Sequence, residues 1–153
     1  MTRVELNPVK IRRLTPDDVK LLVVFSYTDD FPCLPMSEQQ ASRYCGGRIS
    51  PEPTQQTYGL FVNDSLVSIM TTTLSYEFPH SERPSGRVLQ LSGAFTKREY
   101  RHRGYATMLL SAIEEDAGKL FKAEYICCDS SADELYENFG YEKPTETRLW
   151  KRL

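Results

Sequence analysis

The sequence contains few histidines and cysteines, and it has no long apolar run. Only two histidines and four cysteines occur among its 153 residues. Cys33, Cys45, Cys127 and Cys128 show neither CxxC spacing nor histidine companions, so we expect no metal site and no redox pair. No stretch approaches the roughly 20 apolar residues that cross a membrane, and the first 15 residues have no long apolar core. We therefore expect a cytoplasmic protein without a membrane partner.

An excess of positive charge is also absent. The formal net charge is −2 and the isoelectric point is about 5.7, which argues against a general nucleic-acid binder. Basic residues gather only in "KREYRHR", residues 97–103, and one short run does not indicate nucleic acid as a partner. With 40% apolar residues and no internal repeat, the chain has material for one core, so we predict a single domain over residues 1–153.

Strand patterns recur along most of the chain. Alternating or β-branched stretches predict strands over residues 9–14, 57–62, 65–78, 87–96, 123–129 and 147–153. Asn63-Asp64 lies between the second and third of these, which predicts a hairpin with a tight turn. Gly93 inside the fourth weakens packing and indicates a bulge or a close approach of another backbone.

Helix signals lie between the strands. Thr15 with the acids after Pro16 predicts a helix to about Tyr27, and Ser37 with Gln40 predicts a second one that ends at Gly46-Gly47. A longer helix follows Gly104 and reaches about Lys119, and a last one precedes Gly140. Because the longer helix is a sufficient crossover, the strands on either side of it are predicted to be parallel neighbours in a central βαβ unit. The fold class is α+β with a mixed sheet.

The start of the longer helix has an unusual charge. Acidic residues normally lie there, because the first N–H groups lack partners and the helix dipole is positive at that end. Here Arg101, His102 and Arg103 precede the helix, and Gly104 permits a close approach to the backbone. These features predict a phosphate-binding turn. The alternative is a glycine turn decorated with solvated arginines.

A tyrosine in the last helix is a candidate acid. Tyr136 lies on an apolar stripe with Leu135 and Phe139 that must face the sheet. A phenol has a pKa of about 10, so it stays protonated at neutral pH and can donate a proton to a thiolate leaving group. The alternative is a core tyrosine whose hydroxyl bonds to the backbone.

Two stretches together resemble the GCN5-related N-acetyltransferase (GNAT) superfamily: "LSGAFTKREYRHRGYATMLLSAIEEDA" and "LYENFGYEK". The resemblance covers nearly the whole chain in element order. It implies a mixed, mainly antiparallel sheet of about six or seven strands, with helices on both faces. It also implies acetyl-CoA as co-substrate, with its pyrophosphate at the basic turn, which comprises Arg101, His102, Arg103, Gly104, Tyr105, Ala106 and Thr107.

The resemblance also implies roles for individual residues. Ala94, Phe95 and Thr96 correspond to the strand whose backbone pairs with the pantetheine arm. Tyr136 corresponds to the tyrosine that protonates the departing CoA thiolate. Asp129 takes a cofactor-side position at which many members have asparagine, and Gln90 takes the position at which many have a glutamate base.

The base and the acceptor site must then come from the variable segments. Glu77 is the candidate base, and the residues expected at the acceptor cleft are Asp29, Asp30, Tyr76 and His80. Because Asp29, Asp30 and Glu77 are acidic, these candidates favour a cationic acceptor.

Two functions follow as expectations. The first is an N-acetyltransferase that moves the acetyl group from acetyl-CoA to a primary amine of a small molecule, peptide or protein by direct attack. The second is a non-catalytic acyl-CoA-binding or regulatory module, which Gln90 at the usual position of the base favours. The sequence identifies neither the acceptor nor the oligomeric state, and a homodimer stays open.

Overall fold

The computed structural model describes residues 8–46, 55–79, 81–82, 84–128, 133–142 and 151–152. Within these residues it contains five strands: β1 (Val9–Arg13), β2 (Gln55–Val62), β3 (Ser65–Tyr76), β4 (Arg87–Thr96) and β5 (Tyr125–Cys128). The helices are α1 (Val19–Phe25), α2 (Glu38–Ser42), α3 (Tyr105–Lys119) and α4 (Asp133–Glu137). Short 3-10 turns precede α1 and α3, at Pro16–Asp18 and Arg98–Tyr100.

The five strands form one mixed sheet in the order β1-β2-β3-β4-β5. The first four pair antiparallel, and β4 pairs parallel with β5 across α3. This confirms the α+β class and the central βαβ unit. The expected total of six or seven strands is not confirmed, because the strand predicted over residues 147–153 falls almost wholly outside the described residues.

The β2–β3 hairpin is confirmed. Asn63 and Asp64 both have left-handed backbones, with φ of 49° and 65°. Two successive positive φ values are those of a type I′ turn, whose twist matches that of the strands it joins. Asparagine and aspartate tolerate this conformation better than most residues.

A bulge interrupts β4 where Gly93 predicts one. Ile69 lies opposite Phe95 and Thr71 lies opposite Ser92, so two steps along β3 match three steps along β4. Gly93 takes a φ of +59°, which a glycine adopts at no steric cost. Since an extra residue reverses the alternation of side chains, the bulge turns Phe95 to the opposite face from Leu91.

Helices cover both faces of the sheet, as expected. One core packs α3 and Tyr136 against the sheet, and its largest fully buried side chains include Leu60, Met70, Leu89, Leu109, Leu110 and Ile113. The second core lies on the other face beneath α1 and α2, and its buried members are Leu14, Leu22, Phe25, Ala41, Cys45, Phe61, Leu66, Ile69 and Phe95. The bulge therefore supplies one aromatic side chain to the second core.

The first two helices are shorter than predicted, and hydrogen bonds show why. The carbonyl of Tyr44 accepts the N–H of Thr57 at 3.0 Å, which draws the chain onto β2 soon after α2 ends at Ser42. After α1, Tyr27 and Thr28 donate to the carbonyls three residues earlier, so the chain leaves Phe25 in a tighter turn.

Candidate functional site

The first turn of α3 has backbone donors without helical partners. Gly104 is the N-cap residue with a φ of +79°, and no acidic side chain lies in the first turn. The N–H of Met108 donates to the Gly104 carbonyl at 3.0 Å, so the N–H groups of Tyr105, Ala106 and Thr107 precede the helical ladder. A methyl group added at Gly104 would meet nothing within 4 Å, which leaves the approach to these amides open.

The basic turn before α3 exposes its backbone. Residues 101–104 are all exposed, and His102 has a left-handed φ of 62°. Left-handed residues in a turn can direct nearby N–H groups into one concave anion site. Arg103 lies with its guanidinium 5.4 Å from the Tyr100 ring centroid, so a cation is held beside the open amides.

Arg101 connects the basic turn to the end of β4. Its Nε donates to the Thr96 carbonyl at 2.9 Å, and its guanidinium carbon lies 5.4 Å from the Phe95 ring centroid. Arg98, three residues earlier, forms an ion pair with Asp30 in the loop after α1. The charge of Arg98 is thus compensated within the chain, whereas among the described residues Arg101 contacts a carbonyl and a ring and no carboxylate.

The second half of β4 separates from β5. Their parallel pairing covers only Val88–Leu91 of β4, and residues 92–94 are exposed. Within the described residues, β5 therefore leaves the edge of β4 from Ser92 onward without a strand partner. An extended ligand can pair with such an edge as an added strand. The predicted pantetheine residues Ala94, Phe95 and Thr96 lie on it.

Tyr136 is buried against the core that contains α3. It is 6% exposed, and its ring meets that of Tyr141 edge-on at 5.5 Å between centroids. Gly140, with a φ of +87°, reverses the chain after α4, and the Tyr136 carbonyl accepts the N–H groups of Phe139 and Tyr141. A left-handed glycine after a helix is the usual device for such a reversal. The motif "FGY" thus fixes the orientation of the Tyr136 ring.

The neighbouring Tyr141 offers a contrast. Its hydroxyl oxygen is buried, and no hydrogen bond of good geometry joins it to the described residues, although the Glu114 carboxylate lies near enough to interact with it. Burial raises the pKa of Tyr141, and the negative charge of Glu114 adds to the shift. Both effects keep this phenol protonated at neutral pH.

A cleft of about 510 Å³ opens on the α1–α2 face of the sheet; we call it the loop cleft. Its apolar lining comes from α1, the following loop and β3: Leu22, Phe31, Leu34, Pro35, Met36 and Ile69. Its other lining residues are Cys33, Gln40, Arg43, Tyr44, Thr57, Thr71, Ser92 and Gly93. The volume lies in the range of small-molecule sites, and the bulge of β4 forms part of its wall.

Hydrogen bonds and ring contacts hold the loop between α1 and α2, which lines this cleft. The N–H of Met36 donates to the Ser26 hydroxyl at 2.9 Å, and that hydroxyl donates to the Val23 carbonyl at 2.6 Å. Phe31 packs edge-on against Phe25 and Phe95, at 6.1 and 5.3 Å between centroids. The loop, the cleft and the bulged strand therefore form one packed unit.

Those acceptor residues predicted from the sequence that the structure describes do not line the loop cleft. Asp29 is exposed, and Asp30 pairs with Arg98. The Tyr76 hydroxyl accepts a hydrogen bond from Arg87 at 2.9 Å, and Glu77 is exposed and donates its N–H to the Gly86 carbonyl at 2.8 Å. Two further predicted site residues, His80 and Asp129, lie outside the described residues.

Gln90 lies on β4 opposite Thr73 of β3 and is partly buried. Its side-chain amide reaches the Ser75 hydroxyl only at 3.5 Å, the outer limit of a hydrogen bond. An amide cannot take a proton at neutral pH. Neither this position nor the described lining of the loop cleft supplies a carboxylate.

Sequence reasoning missed the cleft residues on α2 and its preceding loop. Arg43 follows α2 directly, where a basic residue is common for helix stability alone. Phe31 and Met36 lie in a segment without periodicity. No local signal distinguishes them, because their proximity to the bulge arises from tertiary packing.

The longest described helix, α3, has 15 residues, and none of the described helices could span a membrane. No group of three or more metal-ligating side chains gathers within the described part of the chain.

Solved structures share this fold at low sequence identity. A predicted acetyltransferase with acetyl-CoA from Clostridium acetobutylicum is 17% identical, with a TM-score of 0.77 over 94% of this chain and 96% of that one. Glucosamine-6-phosphate N-acetyltransferase from Arabidopsis thaliana is 12% identical, with a TM-score of 0.65 over 94% and 98%. A transcriptional regulator from Bacillus halodurans C-125 is 18% identical, with a TM-score of 0.71 over 95% and 100%. At these identities the similarity establishes the fold alone.

The sequence itself carries a broader family signature. No curated protein matches the chain significantly. The sequence profile of the acetyltransferase (GNAT) family matches residues 22–141, which include α3, the bulged strand and the Tyr136 motif. The chain therefore belongs to the acetyltransferase (GNAT) family.

Proposed function

We propose that the protein is an N-acetyltransferase that moves the acetyl group from acetyl-CoA to a primary amine by direct attack, with residues 1–153 acting as one domain. The observation that carries the proposal is the open first turn of α3 beside the separated end of β4. Donors for a diphosphate and an edge for an amide-bearing arm lie on consecutive segments of the chain. The solved relative from Clostridium acetobutylicum, which contains acetyl-CoA, supports this choice of donor.

The residues present fit acetyl-CoA. The amides of Tyr105, Ala106 and Thr107 would hold its diphosphate, with Arg101 and Arg103 adding positive charge. The backbone from Ala94 to Thr96 would pair with its pantetheine arm. The co-substrate supplies an activated acyl group, which an amine can attack without a covalent enzyme intermediate.

Tyr136 would supply the proton that the departing thiolate needs. Its ring is held in place by packing and by the reversal at Gly140, and a fixed donor avoids reorganisation at the moment of reaction. Glu77 stays a prediction for the base that deprotonates the acceptor, and it is not among the described lining residues of the loop cleft.

The first test is thiol release from acetyl-CoA with panels of amino acids, polyamines, aminoglycosides and N-terminal peptides. Turnover above the no-enzyme control with any amine supports the proposal. Tight CoA binding without turnover across the whole panel contradicts it.

A matched pair of variants tests the acid. Tyr136→Phe removes the proton donor and should lower kcat by about 100-fold with little change in the affinity for acetyl-CoA. Tyr141→Phe removes the neighbouring hydroxyl, which forms no hydrogen bond of good geometry with the described residues, and should keep kcat within about threefold of wild type. Equal kcat values for the two variants at saturating substrates would exclude the role of Tyr136.

The second candidate is a non-catalytic acyl-CoA-binding or regulatory module. One observation favours it: Gln90 and the described lining of the loop cleft offer no carboxylate to act as base. The transcriptional regulator from Bacillus halodurans has the same fold. Such a module would bind CoA through α3 as proposed above, yet it would release no thiol with any amine.

A further inference from the structure

The loop cleft has one charged lining residue among those described, and that residue is a cation. Arg43 lines the cleft and is exposed to solvent, while no aspartate or glutamate of the described residues lines it. The nearby acids do not change this balance, because Asp30 is paired with Arg98 and Asp29 lies outside the lining. A polycationic acceptor would therefore meet like charge without a compensating carboxylate.

Arg43 differs from the arginines in the basic turn and from Arg98, which precedes that turn. Arg98 pairs with Asp30, Arg101 donates to a carbonyl, and Arg103 lies over a ring. No described residue forms a hydrogen bond, an ion pair or a ring contact with the Arg43 side chain. Within the described part of the chain its donors are therefore open to a ligand, and their planar fork matches the two oxygens of a carboxylate.

The rest of the lining selects an apolar partner. The apolar residues of the lining are Phe31, Leu34, Pro35, Met36, Leu22 and Ile69. Burial of apolar surface stabilises a ligand by about 25 cal/mol per Å². Gly93 of the β4 bulge lies in the same cleft. An acceptor in the cleft would thus have its amine near the strand proposed to hold the pantetheine arm.

We infer that the acceptor is a primary amine with an apolar body and a carboxylate, such as an apolar amino acid, and that Arg43 binds the carboxylate. This inference rests on the proposed acetyl transfer and differs from the cationic acceptor expected from the sequence. Arg43 then determines specificity: it binds the acceptor, and it has no part in moving the acetyl group.

The test compares acceptors that differ only in the carboxylate. The pairs are L-leucine with 3-methylbutylamine, L-phenylalanine with 2-phenylethylamine, and 6-aminohexanoate with hexylamine; spermidine represents the polycations. Each is assayed for thiol release with wild type, Arg43→Gln, Arg43→Lys and the control Lys10→Gln, which removes an exposed charge from β1 at the far edge of the sheet. Ratios of variant to wild type cancel the intrinsic reactivity of each amine.

Arg43→Gln should lower kcat/KM for the carboxylate acceptors by about 30-fold, mainly through KM. It should change kcat/KM for their neutral partners by less than about threefold, and Arg43→Lys should recover part of the loss. Lys10→Gln should match wild type. Equal losses on both members of each pair, or spermidine as the best acceptor, would overturn the inference.

A binding experiment separates this inference from the proposed reaction. The probes are N-acetyl-L-leucine and N-acetyl-L-leucinamide, titrated into the ¹⁵N-labelled, CoA-saturated protein. If no amine is acetylated, the proposed function fails. Carboxylate-dependent binding that Arg43→Gln abolishes would still support the cleft assignment, whereas equal or absent binding of both probes would reject it.

Discussion

The N-termini of α2 and α3 differ in side-chain capping and in charge. At α2, the Ser37 hydroxyl accepts the N–H of Gln40 at 3.2 Å, and the Gln40 side chain accepts the N–H of Ser37 at 2.9 Å. Glu38 adds negative charge to that first turn. At α3, the N-cap is Gly104, and no acid lies in the first turn. The five-residue helix is capped by its own side chains, and the fifteen-residue helix is not.

The turn before α1 shows that capping is available elsewhere in this chain. The Asp18 carboxylate accepts the N–H of Thr15 at 2.7 Å and forms two hydrogen bonds with Arg12, at 2.7 and 2.9 Å. The donors of Arg12 and Thr15 and the Asp18 carboxylate are therefore hydrogen-bonded to one another within the fold. Under the proposed function, the donors of α3 are left for an anion outside the chain, and cations accompany them for the same reason.

The largest predicted effect comes from adding an acidic residue to the first turn of α3, where α2 already has Glu38. Ala106→Glu places a carboxylate in the first turn, where it should stabilise the helix by about 0.3–1 kcal/mol. The same carboxylate should repel the diphosphate and weaken CoA binding by about 100-fold. Calorimetric titration with CoA and thermal unfolding measure the two effects.

Gln39→Glu is the matched control, because it adds the same charge to the first turn of α2. Its CoA affinity should equal that of wild type. If Ala106→Glu binds CoA as tightly as this control does, the two helix starts do not differ in the way proposed.

The second-largest predicted effect comes from neutralising Asp18, which forms hydrogen bonds with Arg12 and Thr15 in the turn before α1. Asp18→Asn should lower the free energy of unfolding at pH 7 by about 2 kcal/mol, because it weakens a charge-assisted network. Arg12 holds the pKa of Asp18 below its ordinary value, and the Thr15 hydrogen bonds act in the same direction. Stabilisation from a lowered pKa is present above the unfolded pKa of about 3.9 and is lost as the pH falls through the folded value.

Denaturant unfolding of wild type and Asp18→Asn across this pH range checks the sign. The difference between them should shrink as the solution is acidified below about pH 4. A difference that grows on acidification would contradict the assignment.

The smallest effect compares two glycines of α3. Gly104 has a left-handed backbone, whereas Gly118 lies inside the helix without a positive φ. Gly104→Ala should cost about 1–2 kcal/mol of stability, and Gly118→Ala should add about 0.5–1 kcal/mol. Since neither added methyl group meets an atom within 4 Å, the opposite signs come from backbone conformation alone. Thermal unfolding of both variants measures them, and equal shifts would refute this account.

Local signals predicted much of this structure because they act over short distances. The pair Asn63-Asp64 predicts the hairpin, Gly93 predicts the bulge, and the charge inversion before Gly104 predicts the open helix start. Each depends on a few neighbouring residues whose backbone preferences agree with the fold.

Local signals could not predict the loop cleft or the partners that the arginine side chains contact. Arg98 turns to Asp30, 68 positions away, and Phe31 reaches Phe95 only because the bulge sends that ring to the second core. The charge of the proposed acceptor site depends on these long-range pairings. Asp29 and Asp30 therefore suggested a cationic acceptor in the sequence, yet neither lines the cleft.

The central claim is that the first amides of α3 bind a diphosphate, and an amide-resolved titration tests it most directly. ¹⁵N-labelled protein is titrated separately with CoA and with pantetheine, which lacks the diphosphate. We predict that the amide resonances of residues 103–107 shift strongly with CoA and not with pantetheine, while those of residues 92–96 shift with both. Unchanged resonances at residues 103–107 in saturating CoA would contradict the account.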